Sequence, residues 1–233
     1  GDVRAASGFA VTLNAQAGRT YQGRLRELAA ALPRLARVSC YATPGNLQRK
    51  SAEELSRLRE HKLSLLYFGI ESGSDLILKK ITKGATQRRM AEVLHKAEAN
   101  GMKISATVIL GLGGTQHWEE HIDGTIALLN RAPVTYLSTL QLYLDDSILD
   151  EFHRKFGEPF EMPDDLAILH EQERLISGLN PPQPVIFRSN HASNRWRLLE
   201  TCRETKTNCC CNCAKRWRAT VRCGLISYGG CKA

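Results

Sequence analysis

Short runs of apolar residues alternate along the chain with longer stretches in which apolar positions recur every three or four residues. The runs are Leu35 to Ala42 (LARVSCYA), Leu63 to Ile70 (LSLLYFGI), Lys103 to Leu110 (KISATVIL) and Tyr136 to Leu144 (YLSTLQLYL). Apolar throughout and a few residues long, they predict strands of a parallel sheet. The stretches between them predict helices. Arg24 to Leu32 is one. Ser51 opens a second as a cap, with Glu54 at the capping-box position and Leu55, Leu58 and Leu63 on its apolar side. Thr86 to Asn100 carries Met90, Val93, Leu94 and Ala97 on one face, and Gly101 stops it. His117 to Arg131 completes the set. The rhythm of roughly 35 to 40 residues per unit suits βα repeats, so a sheet covered by outer helices is expected.

Beyond Leu144 the pattern changes. A polar, proline-marked stretch from Glu158 to Pro163 precedes a helix over Asp164 to Ser177, and Val185 to Phe187 predicts one more strand. Residues 145–194 are expected to form a small C-terminal extension packed on a core made of residues 1–144.

The 233 residues are 42% hydrophobic, enough for a sizeable core. The longest apolar stretches, such as Ile104 to Leu112, fall far short of a membrane span. Gly1 stands where a methionine would open a reading frame, and no signal peptide follows it. A cytoplasmic protein whose true start lies upstream is expected. The net charge of +8 would suggest nucleic acid. However, residues 195–233 alone carry a balance of +7 and seven of the eight cysteines, leaving +1 for everything before them. The nearly neutral body argues against a nucleic-acid partner.

Ligands bind at the carboxyl ends of parallel strands, and three such ends carry chemistry. Gly69 to Ser74 (GIESGS) offers a carboxylate, two hydroxyls and a glycine for close approach. Glu71 there has the acceptors for a ribose diol or an amino group, and the same residues also suit a plain strand-to-helix turn capped by Ser74. Val108 to Gly114 (VILGLGG) lets a flat ligand lie against backbone, or is an ordinary flexible loop; it is not G-x-G-x-x-G. Leu140 to Leu142 offers an apolar wall, or core packing. Arg188, Asn190 and His191 form a further polar cluster, suited to substrate contact or to capping. His117 and His121 are four apart but outside an H-E-x-x-H pattern, so zinc is not expected. Cys40 reads as a core residue.

In order, Tyr67 to Ser74 (YFGIESGS), Lys83 to Thr86 (KGAT) and Thr107 to Gly114 (TVILGLGG) with Glu119, Glu120 and His121 resemble the radical S-adenosylmethionine (SAM) superfamily. The branch most resembled carries the Elp3/MiaB/NifB-type core. Tyr41 to Pro44 and Phe187 to Asn194 resemble stretches of one bacterial subgroup. The resemblance runs from Leu35 to Asn194. It implies a partial (βα)6 TIM-like barrel, a [4Fe-4S] cluster, SAM chelated at its open iron, and a 5′-deoxyadenosyl radical that takes hydrogen from a substrate. It also implies an electron donor such as flavodoxin or ferredoxin for the full-length protein. On this pattern Glu71, Ser72, Gly73 and Ser74 meet the SAM ribose or amino acid moiety, and Gly111, Leu112 and Leu142 line the adenine.

The family's cluster loop, C-x3-C-x2-C, is absent from the 233 residues. It is expected upstream, with Gly1-Asp2 matching a short acidic turn, and the isolated chain is expected to be inactive and without a metal. The Cys/Arg-rich tail, residues 195–233, reads as a frameshifted, disordered ending: from Trp196, shifting by two bases with suitable wobble bases restores a Pro-marked turn and an amphipathic helix. Two alternatives stand beside this reading. One is another (βα) barrel enzyme with Gly111 to Gly114 as a phosphate loop. The other is a zinc or nucleic-acid binder built on the tail.

Overall fold

A parallel strand cannot be followed by its neighbour without a crossover, and the order of the strands decides where the crossovers lie. The computed structural model describes residues 11–12, 18–189, 191 and 193–194. The Gly1-Asp2 turn, the Cys/Arg-rich tail and Asn190 lie outside the described residues. Six strands form one parallel sheet: β1 (Val11–Thr12), β2 (Val38–Ala42), β3 (Leu63–Glu71), β4 (Lys103–Leu110), β5 (Tyr136–Gln141) and β6 (Ile186–Arg188). Their order in the sheet is their order in the chain. Each crossover therefore steps one strand in the same direction. With the right-handedness of such connections, the helices gather on one face. This is the winding of a barrel sector. A doubly wound sheet would reverse its order at a switch point.

The helices are α1 (Gly18–Ala31), α2 (Pro44–Arg49), α3 (Ala52–Glu60), α4 (Asp75–Lys80), α5 (Gln87–Ala99), α6 (Trp118–Leu129), α7 (Asp146–Phe156) and α8 (Asp165–Gly178). The expected caps are in place. Ser51 accepts from the Glu54 amide while the Glu54 carboxylate accepts from the Ser51 amide, and Gly101 adopts φ 77° after α5. Three helices were not expected. In α2, Thr43 caps and Pro44 fills the first turn, so the residues that signal a turn also start a helix. α4 is too short to display a period. α7 carries Phe152 and Phe156 on one stripe, but of its residues only Phe156 is buried. Boundaries moved as well. Leu35 lies in a turn, its amide bonded to the Leu32 carbonyl, so β2 starts at Val38, and β5 ends at Gln141.

Side chains alternate across each strand. Cys40, Leu66, Phe68, Ile70, Ile104, Ala106, Val108, Leu137 and Phe187 face the helices and share one apolar core with α3, α5, α6 and α8. Cys40 is fully buried there, as expected. Tyr41, Tyr67, Ser105, Thr107, Ser138 and Arg188 take the intervening positions, on the face turned away from the helices. This second, concave face is the polar one. Residues 145–194 supply α7, α8 and β6, and β6 hydrogen-bonds into the sheet beside β5. Among the described residues no helix is long and apolar enough to cross a membrane.

The capping box joins α3 to the loop before it. Ser51→Ala is expected to lower stability by about 1 kcal/mol, read as a shift of the urea midpoint with an unchanged m-value.

Candidate functional site

The carboxyl end of β3 is bent out of regular strand geometry. Glu71 holds φ 62°, and the Ser72 amide donates to the Ile70 carbonyl at 2.8 Å, closing a three-residue turn about Glu71. The register against β4 slips between Gly69 and Glu71. A non-glycine residue in the left-handed region costs on the order of 1–3 kcal/mol and persists only where its surroundings fix it.

Those surroundings are a buried polar seam between the turn and α6. His121 on α6 is completely buried. Its Nε2 lies 2.9 Å from the Ile109 carbonyl, which only accepts, so that nitrogen carries the proton. Nδ1 then accepts from the Ser72 hydroxyl at 2.8 Å, and Ser72 Oγ accepts from the Ser74 amide. Thr125 Oγ1 accepts from the Gly73 amide at 2.8 Å and donates to the His121 carbonyl. Gln87 Nε2 donates to the carbonyls of both Gly73 and Gly124. The two glycines let the backbones touch: a Cβ on Gly73 would sit 2.5 Å from Thr125 Cα, and one on Gly124 would sit 2.8 Å from the Ser74 amide nitrogen. Ser74 closes the seam, capping α4 through the Ile77 amide and donating to Glu120.

Ser72, Gly73 and Ser74 thus spend their polar groups on α6 and α4. Glu71 turns the other way, onto the concave face. Its carboxylate pairs with Lys83 at 3.1 Å, and the pair lies across Gly69, where an added Cβ would fall 3.0 Å from Glu71 Cδ and 3.3 Å from Lys83 Nζ. Both side chains keep some exposure, 24% for Glu71 and 18% for Lys83, so the pair can be reached by a ligand.

The end of β4 is held from behind. Gly111 has φ 82°, and its amide donates to Glu171 Oε2 of α8 at 2.6 Å. A Cβ there would lie 2.7 Å from Ile168 Cδ1 and 3.6 Å from Leu142 Cβ. The Gly114 amide is used by the Gly111 carbonyl. Leu112 and Leu142 share a small apolar cluster with Ile77, Ile81, Ile109 and Phe156. The structure therefore draws together the three strand ends that the sequence offered separately, through α4 behind Ser74.

Three residues of this region were not assigned a role from sequence. Lys83 and Gln87 act across the fold from positions that carry no periodic signal. Glu171 had one: it is a carboxylate on the buried face of α8, among Ile168, Leu169, Leu175 and Ile176. Burial raises its pKa to about 7 against the pull of the Gly111 amide. Burial lowers that of His121 to about 4. The His117 ring is occupied with Glu158, which also pairs with Lys80 at 2.9 Å, and shares no partner with the His121 ring. Among the described residues no group of three His, Cys, Asp or Glu side chains could hold a metal ion.

Residues 13–129, half of the chain, match the family model described as the radical SAM superfamily. No curated protein sequence matches the chain. Among solved structures, the chain is similar to coproporphyrinogen III oxidase (HemN) from Escherichia coli, described as a radical SAM enzyme. That match has 17% identity and a TM-score of 0.52, and covers 67% of this chain and 37% of the oxidase. It is also similar to methylornithine synthase (PylB), with 11% identity, a TM-score of 0.50, and coverage of 94% of this chain and 69% of the synthase. The chain thus spans little more than a third of the first relative and about two thirds of the second. At these identities the likeness shows the fold, a partial barrel of parallel strands.

The two buried groups oppose each other as pH changes. The raised pKa of Glu171 contributes stability that is present at pH 4.5 and lost as pH rises toward 7. The lowered pKa of His121 contributes stability that is present at pH 6.5 and lost as pH falls toward 4. Each is worth about 3 kcal/mol across its window. Between pH 4.5 and 6.5 they largely cancel. In urea denaturation, Glu171→Gln is expected to make stability rise with pH in this window relative to the parent chain, and His121→Gln to make it fall. Parallel pH profiles for all three proteins would rule this out.

Proposed function

The chain belongs to the radical SAM superfamily, and on that premise we propose that it binds SAM at the carboxyl ends of β3, β4 and β5. The observation that carries the reading is Glu71: strained at φ 62°, fixed by a buried seam and turned onto the concave face beside an apolar wall. Superfamily membership supports radical chemistry that cleaves SAM. If bound and supplied with one electron, SAM would provide, along with methionine, a 5′-deoxyadenosyl radical able to take hydrogen from a substrate.

The residues present fit the nucleoside and amino acid parts of SAM. Glu71 has acceptors for the ribose diol or the ammonium group, and Lys83 sets its direction. Ser72, Gly73 and Ser74 act by holding the turn against α6. Gly111, Leu112 and Leu142 form the apolar side suited to adenine, and Glu171 keeps Gly111 in place from behind. The described residues do not fit the iron–sulfur cluster. Cys40 is the single cysteine among the described residues and is buried in the helix-side core, and C-x3-C-x2-C occurs nowhere in the 233 residues. On this reading the cluster ligands implied by the family lie outside the described residues, and a one-electron donor of the flavodoxin or ferredoxin kind is the partner it implies.

The phosphate-loop alternative is disfavoured by the same geometry. A phosphate cradle needs free backbone amides. The Gly111 amide already faces a carboxylate, the Gly114 amide is used within the turn, and the His117 amide bonds to the Gly113 carbonyl.

Calorimetric titration of the chain with SAM is expected to show saturable binding that Glu71→Gln weakens by about tenfold, the size expected for one charge-assisted hydrogen bond. Ribose 5-phosphate is expected not to compete. Competition by the sugar phosphate, with no saturable SAM binding, would favour the alternative enzyme class.

A further inference from the structure

The concave face is layered by the register. Gly69, Thr107, Ser138 and Arg188 are partners across β3, β4, β5 and β6 and form one row. One level toward the amino ends, Tyr41, Tyr67, Ser105, Tyr136 and Ile186 form the next. The lower row is an aromatic floor: the rings of Tyr41 and Tyr67 lie 5.3 Å apart, and both remain open, at 53% and 38% exposure. The upper row is small except at its end. It spans three strand spacings, about 14 Å, from Gly69 beneath the Glu71–Lys83 pair to Arg188.

Charge on this face is uneven. Lys83 is neutralised by Glu71. Lys103 stands at the foot of β4, four residues and about 13 Å below the row. Arg188 is exposed, and no carboxylate among the described residues lies within ion-pair distance of it. Its guanidinium is not loose: it lies 4.9 Å from the centre of the Tyr136 ring, a diagonal neighbour on the same face. A stacked guanidinium keeps its fork of donors in a fixed plane and loses less freedom on binding than a free side chain does.

We propose that Arg188 anchors an oxyanion, a carboxylate or phosphate group, on the substrate held along this row. The proposal rests on the reading that SAM binds beside Glu71 on the concave face, and adds the class of substrate that would meet it there. The substrate is a small anionic molecule. Its charged end lies at β6, its body crosses the short side chains of Gly69, Thr107 and Ser138 above the tyrosines, and its reacting end lies near Glu71. An uncharged substrate would leave this row without a partner for its one free cation among the described residues.

The test is titration of the 233-residue chain with inorganic phosphate and, separately, with succinate, following the Arg188 Nε–H and Tyr136 ring resonances. Both sets of signals are expected to shift together and saturate, with a dissociation constant on the order of 1 mM for a single guanidinium contact. Which anion binds more tightly distinguishes a phosphorylated from a carboxylated substrate. Arg188→Ala is expected to abolish the saturable Tyr136 shift, and Arg188→Lys to weaken it about tenfold by losing the planar fork. Arg88→Ala, on the outer surface of α5, is expected to leave it unchanged. Failure of both anions to saturate the Arg188 signal, or a Tyr136 shift that survives Arg188→Ala, overturns the proposal. SAM titrated into the same samples separates the two claims. SAM binding without anion binding removes the anchor and leaves the cofactor reading, whereas anion binding through Arg188 without SAM binding does the reverse.

Discussion

The close approach of two backbones at Gly73 and Gly124 is the constraint on which the site depends. With no Cβ on either residue, the turn after β3 settles directly on α6, and the polar groups of Ser72, Gly73 and Ser74 find partners in His121, Thr125 and Gln87. The seam is buried and its side chains are hydrogen-bonded, so it resists distortion. That resistance holds Glu71 at a positive φ. The same seam ties β4 to the turn, because His121 donates to the Ile109 carbonyl while holding Ser72. One buried imidazole thereby sets the relative height of two strand ends.

A second support stands behind the first. Glu171 reaches from α8 to the Gly111 amide, so the loop after β4 is fixed by a helix that follows it by more than fifty residues. Ile168 and Leu142 close on the same glycine. The exposed chemistry therefore rests on a buried layer: Glu71 and Lys83 face the concave side, and His121, Ser72 and Glu171 work from the other. Functional groups are held accurately only when such supporting contacts lock them in place. The raised pKa of Glu171 and the lowered pKa of His121 both report this burial, and neither group is placed to exchange protons with a ligand.

The two faces of the sheet divide the labour. The helix side holds the apolar core, and the concave side carries tyrosines, hydroxyls and charge. Sequential strand order makes this division possible, since all crossovers fall on one side and leave the other for a ligand. The register then places Arg188 and Gly69 at opposite ends of one row, although 119 positions separate them along the chain.

The sequence by itself determined the strands β2 to β6, the helices α1, α3, α5, α6 and α8, and the caps at Ser51 and Gly101, because local periodicity and cap chemistry act over a few residues. The ordered motifs also determined the family. Short helices such as α4 escaped because six residues hold less than two turns, and α2 because Pro44 marks a turn and a helix start alike. The candidate residues Glu71, Ser72, Gly73, Ser74, Gly111, Leu112 and Leu142 were legible as strand-end chemistry, but not the direction each one faces. Only the tertiary structure decided that Ser72 turns to His121 while Glu71 turns to Lys83, that Glu171 serves Gly111, and that Arg188 overlies Tyr136. The physical reason is that these choices depend on register, on a one-residue slip at the end of β3 and on close backbone contact between distant segments, none of which is encoded in any local stretch of sequence.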